Sequence, residues 1–406
     1  MADVRVPRGG RARLGQVEGD LEVGSGARID PDGVLTVTGA VRCAGPATIA
    51  GSVRCAGVEG QGAELRVEGD LRATGEVRLV RGSLEVQGSL EARALDVDRR
   101  AVIGGMARVE QIEVGGSLTV GGGLDADTVT VGGRLAVAGG VARANRIDVG
   151  GLVDAGTVEL RELSVGGAIR IAGGSVAGRL EVGGHLSVTD RIEFGELRVG
   201  GRAELGGPVR GGAIHAGGML EAKADLACTR LSVGGRARIE GGVEAAEISV
   251  GGILSIGGTL RADGRVDVGG EIDIARAAQV GSLGIGGMLR VPRIVAADAI
   301  HVGGGIWTSD GAKAHRIVLG RRGRAVGPLI GDEVVLAERS EADAILGGTI
   351  RLAERSRAGT IVGDAVHLGE GAFAEEVLYT QEATVAPSAR VGRGCRKVPQ
   401  RPQDPF

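Results

Sequence analysis

The sequence predicts an all-β fold: a single long triangular β-helix, or β-solenoid, with a coil of about 17 residues that shortens to about 16 near the C-terminus. Three observations predict it. A V-G-G-like anchor returns through the chain, and the residue two places before each anchor valine is Ile112, Val129, Ile147, Leu163, Leu180, Leu197, Ile214, Leu231, Ile248, Val266, Leu283 and Ile300, an aliphatic side chain at a nearly constant step. Within one period, Leu186-x-Val188, Ile192-x-Phe194 and Leu197-x-Val199 are three apolar-polar-apolar triplets, each with the period-2 alternation of a short strand buried on one face. Three such sides make a triangular turn, and turns that cannot bury their apolar faces alone must stack.

Composition supplies the third observation. The 406 residues include 78 Gly, yet 43% are hydrophobic and only 1% aromatic, so the core is aliphatic. Without a strict three-residue glycine period the chain is not collagen, and its apolar content is too high for a disordered linker. Glycine suits the corners, where the chain turns sharply, often through φ > 0, and stacks closely on the coil below.

The segments follow in order. Residues 1–16 read as an N-terminal tail, and their "MADVRVPRGG" lacks the apolar core of a signal peptide. No run approaches the roughly 18 to 20 apolar residues of a membrane span, which predicts a cytoplasmic address without membrane association. Residues 17–110 read as irregular coils, because the near-copies "VTGAVRCAG" and "IAGSVRCAG" lie twelve residues apart, two sides instead of three. Residues 111–306 are the regular V-G-G coils. One side departs there: the triplet beginning at Val141 ends in Arg143, whose guanidinium is not buried unpaired, so that side is locally irregular. Residues 307–393 carry a 16-residue period, anchored at Gly331, Gly347 and Gly363 with "LAERSEAD" and "LAERSRAG" between them. Residues 394–406, with three prolines and no alternation, read as a disordered tail.

Chemistry is sparse in the pattern. His215 and His301 share a column but sit five coils apart, roughly 24 Å at the strand spacing, too far to share a metal. No glycine run continues into the G-K-[ST] of a phosphate loop. Forty-eight basic residues are balanced by 51 acidic ones, with only small clusters such as "GRRGR" at 320–324, so nucleic acid is not an expected partner. No outward column repeats one residue type as a ligand array would. Neither an enzyme, nor a cofactor, nor a metal site is expected.

The units "VEGDLRA", "VGGRLAV", "IGGMLRV" and "IGDEVVL" resemble those of bactofilins, the polymer-forming cytoskeletal proteins of bacteria, over about residues 17 to 393. The resemblance implies a right-handed triangular β-helix that joins end to end into non-polar filaments without nucleotide. Two departures stand beside the resemblance: this chain exceeds the usual bactofilin domain about three- to four-fold in length, and "MADVRVPRGG" offers no counterpart of the family's membrane-targeting N-terminal peptide, so the chain reads as an elongated relative with a different role. The expected function is a cytoskeletal or scaffolding polymer with protein clients; the alternative is a monomeric binding module presenting a flat face to a protein partner.

Triplet positions sort the sulfurs and aromatics. Cys43, Cys55, Cys228 and Phe194 fall on inward positions and are expected in the core, leaving Cys395 as the exposed thiol. Trp307 and Phe373 fall outward and, with Tyr379, are the candidate interface residues, since exposed aromatics are enriched at interfaces. Phe373 leads, because the resemblance implies assembly through a terminal coil bearing an aromatic.

Overall fold

The computed structural model describes residues 3–401. All its regular elements are strands, among the described residues there is no helix, and parallel strands about 17 residues apart form a β-solenoid of about 23 turns. The chain divides into two compact units, Met1–Gly201 and Arg202–Phe406.

In the first unit the anchor column is a parallel ladder, running Ile112↔Val129↔Ile147↔Leu163↔Leu180↔Leu197 as the spacing predicts. It also reaches back through Leu95, Val77, Val58, Val41 and Leu21 to Val4. A second ladder stacks Leu84, Ala101, Leu118 and Leu135, and a third stacks Leu71, Leu90, Ala107 and Leu124. Apart from half-buried Val4 these side chains are buried, and each large one contributes about 1.5 to 3 kcal/mol. In the second unit the equivalent anchor ladder runs from Ile214 through Leu231, Ile248, Val266, Leu283, Ile300, Ile317, Val334 and Ile350 to Val366.

The structure corrects both expected tails. Val4–Val6 and Arg11–Val17 are strands paired one coil on, with Val6 buried. The Val4-x-Val6 triplet pairs residue for residue with Leu21-x-Val23, so the period already begins there. At the other end Cys395–Lys397 is a strand paired with Val377–Tyr379, though all three of its residues are exposed, while 402–406 lie outside the described residues.

The Arg143 side resolves by a one-residue shift. Against the preceding coil the offset grows from 17 at Val120↔Val137 to 18 at Leu124↔Ala142, so that Ala142 stacks on Leu124 and Arg143 on Asp125. Ala142 is buried, whereas Arg143 faces out and its Nε donates to Glu159 Oε2 at 2.7 Å.

One outward column in the first unit alternates in charge. Arg5, Glu22, Arg42, Glu59, Arg78 and Asp96 succeed one another along one ladder, and the pairs Arg5–Glu22, Arg42–Glu59 and Arg78–Asp96 lie 3.2 to 3.5 Å apart. At one corner side chains relay from coil to coil: Asp70 N donates to Ser52 Oγ at 3.0 Å, Ser89 N to Asp70 Oδ1 at 2.8 Å and Met106 N to Ser89 Oγ at 3.2 Å. Such bonds satisfy backbone donors that the ladders leave over.

Candidate functional site

Coils normally hide their inward residues under the next coil. Along one inward column of the second unit, relative exposure runs Leu319 0%, Leu336 0%, Leu352 2%, Leu368 3% and then Val385 39%. Cys395, in register with buried Val377, is likewise exposed. The core therefore surfaces in the coil around Val385–Lys397, the last described one.

The aromatics occupy different places. Phe373 is 40% exposed, in the outward column after Glu341 and Arg357. Trp307 also takes an outward column, beside Arg290, but is half-buried: its ring lies over Gly305 of its own strand, with the Arg290 guanidinium 6.0 Å from its centroid. Tyr379 is half-buried and stacks in register on Gly363, an inward position held by Gly331, Gly347 and Gly363 in the preceding coils. There a side chain on Gly363 would meet Ile350 and Val366, so only the outermost coil has room for a ring.

Phe194 and three thiols are buried. Burial pushes Cys43, Cys55 and Cys228 up to about 12, and the neighbouring Cys55 adds to the effect at Cys43. They are packing groups rather than nucleophiles at neutral pH. Cys395 is exposed.

A concavity of about 740 Å³ lies on the second unit; Lys313, His315, Asp332, Asp364, Thr380 and Arg401 supply its polar rim. His315 Nδ1 stands 2.6 Å from Asp332 Oδ2, the Thr380 hydroxyl donates to Asp364 at 2.6 Å, and Arg401 pairs with Asp364 at 3.3 Å. The His315 and Asp332 side chains are 70% and 74% exposed, and neither Ser nor Cys lines this concavity. A smaller hollow of about 550 Å³ on the first unit holds Arg28, which hydrogen-bonds Glu68 and Asp30. Burial pushes the Asp30 carboxyl up, but hydrogen bonds from Arg11 and Arg28 outweigh it and hold Asp30 below the usual carboxylate range. Among the described residues no three His, Cys, Asp or Glu side chains group as metal ligands. His215 and His301 do share a column, through Ser232, Ser249, Asp267 and Gly284.

A feature that the residue pattern did not disclose lies at one corner of the second unit. Arg322, Arg339 and Arg355 adopt positive φ of 57°, 58° and 57° there in three successive coils. Arg321, Arg322, Glu338 and Arg339 enclose a shallow hollow of about 370 Å³. The repeated E-R-S at 338–340 and 354–356, set against E-G-A at 370–372, was the available signal.

No helix of the described residues is long and apolar enough to cross a membrane. No known protein family, curated protein or solved structure gives a significant match to this chain.

Proposed function

We propose that this chain is a structural scaffolding protein, bactofilin-like and cytoplasmic, whose coils meet those of further copies end to end without nucleotide. The observation that carries the reading is the inward column ending at Val385, exposed where Leu319, Leu336, Leu352 and Leu368 are covered. An open coil presents unpaired N–H and C=O groups along the axis together with its apolar interior, and both are satisfied by another coil. A contact between unlike ends does not close on itself and so propagates. The side-chain inventory favours this over catalysis: the concavity on the second unit offers a His–Asp pair open to water and no serine or cysteine nucleophile beside it.

The second reading is a monomeric binding module, and the polar concavity around Lys313, His315 and Asp364 favours it. Negative-stain microscopy of the nucleotide-free protein separates the two. Filaments that disappear in Val385→Asp, at unchanged melting temperature, support end-to-end assembly. Single particles at every salt concentration would overturn it in favour of the binding module.

A further inference from the structure

Among the described residues only four that are not glycine have positive φ: Arg81, Arg322, Arg339 and Arg355. The last three occupy one corner of consecutive coils, and the next coil places Gly371, φ 64°, at the same point. Each corner is a tight turn: Gly323 N bonds Gly320 O at 3.0 Å, Ser340 N bonds Ala337 O at 3.3 Å and Ser356 N bonds Ala353 O at 3.3 Å. The third residue of a turn with φ > 0 there favours glycine, and an L side chain is disfavoured. Nothing in the stacking asks for arginine. The bond to the next coil is made by its backbone: Arg322 N to Glu338 O at 3.0 Å, Arg339 N to Glu354 O at 3.0 Å, Arg355 N to Glu370 O at 2.9 Å. Glycine would supply the same donor. Residues held in such conformations against preference concentrate at functional sites.

One residue before each positive-φ position in the last three of these coils stands a glutamate: Glu338, Glu354 and Glu370. The corner thus carries a positive row and a negative row side by side, both rising by about 4.8 Å per coil. The pairs within the chain, Arg321–Glu338 at 2.7 Å and Arg355–Glu354 at 3.2 Å, are solvated, with side-chain exposures of 47 to 77%, and are readily exchanged. Arg322 and Arg339 are exposed.

We infer that this corner is a docking edge for a second copy of the chain, the two copies lying side by side and pointing the same way. A two-fold axis parallel to the coil axis exchanges the rows: Arg339 of each copy faces Glu338 of the other, and Arg355 faces Glu354. In the first coil Arg321 stands before Arg322 and is paired with Glu338 of its own chain, so Arg322 reaches diagonally across one coil to Glu338 of the other copy, as Glu370 does to Arg355. An axis perpendicular to the coils would set arginine on arginine. Charge complementarity of this kind selects orientation and register. The contact closes on itself, so it does not rest on end-to-end growth, and Val385→Asp removes only the latter.

The test is sedimentation velocity of the full chain carrying Val385→Asp. A dimer is expected whose dissociation constant rises about ten-fold or more between about 50 mM and about 500 mM salt, as screening of exposed charge requires. The triple change R322G/R339G/R355G is expected to weaken dimerisation about ten-fold or more while the melting temperature holds or rises, because glycine relieves the corner. R322E/R339E/R355E and E338R/E354R/E370R are each expected to be monomeric alone and to dimerise when mixed. A monomer at low salt, a glycine variant that associates like its parent, or a mixture that stays monomeric overturns the proposal.

Discussion

At Gly200-Gly201 in the first unit and at Glu338-Arg339-Ser340 in the second the chain rounds a corner by different means. Neither glycine of the first pair has positive φ, although left-handed turning was one reason to expect glycine at the corners. They are required by approach: a Cβ on Gly201 would stand 2.5 Å from the carbonyl oxygen of Gly184 in the preceding coil. The second corner does turn through positive φ, and keeps an arginine there. It is closed by Ser340, fully buried, whose hydroxyl donates to Ala337 O at 2.6 Å. The glycine corner holds residues the stacking demands; the arginine corner holds one the stacking would rather lack. A side chain kept against the preference of its own backbone points to a role outside the fold.

The largest effect expected from this contrast is at the glycine corner. Gly201→Ala forces a Cβ against backbone, which cannot swing aside, so the coils must part locally; a loss of about 3 kcal/mol is expected from urea denaturation. Gly9, with φ 66° and open space around its missing Cβ, is the control: Gly9→Ala is expected to lose about 1 kcal/mol, the conformational term alone. If both alanines lose the same, close stacking is not why glycine recurs.

The next effect concerns the core that both corners enclose. Cys43, Cys55 and Cys228 lie in coils outside the E-R-S corners, and their folded pKa is pushed from 9.0 up to about 12. In the unfolded chain each thiol releases its proton near pH 9, while in the folded chain it keeps it to about 12. Their contribution is therefore full below pH 9 and is lost as pH rises from 9 toward 12, by about 1.4 kcal/mol per pH unit for each thiol. Hydrogen exchange at alkaline pH is expected to open the coils around these cysteines before those at 336–356. The reverse order would show that the thiols are not the weak point.

The ladder from Ile112 to Leu197 was legible because the spacing of aliphatic side chains survives any corner chemistry. Its extension to Val4 was hidden by uneven steps: Leu21 pairs with Val41, a longer step than the rest, because the register shift between Leu14 and Gln16 opens a loop with Val34 exposed. Backbone pairing tolerates such insertions, and a fixed period read from side chains does not. The outward placement of Trp307 and Phe373 followed from period-2 alternation. The arginine corner was unreadable because φ is not written in residue type; only the glycine at 371, in a column otherwise arginine, betrays what the backbone prefers.

Ser340→Ala should cost about 1 kcal/mol, since it removes a buried hydroxyl and leaves Ala337 O with one partner fewer. Ser356, bonded likewise to Ala353 O, should respond by the same amount. Gly323 holds this place one coil earlier without any hydroxyl, so a loss much above this value would mean the serine does more than close the turn.

The smallest effect is the most telling. Arg339→Gly removes a long exposed side chain from a backbone that already favours glycine, relieving about 1 kcal/mol of conformational preference. The unfolded glycine chain gains nearly as much freedom, so the net change is expected within about 0.5 kcal/mol of zero. Arg339→Ala keeps the conformational penalty and loses the charge, and should fall below the glycine variant by about 0.5 to 1 kcal/mol. Thermal melts of the two variants beside the parent decide the matter. An order of parent or glycine first and alanine last means that Arg339 gives the fold nothing that glycine does not. If glycine instead loses about 2 kcal/mol or more, well beyond what an ordinary surface substitution costs, the arginine side chain braces its own corner. The contrast between the two corners then collapses into two ways of stabilising stacked coils.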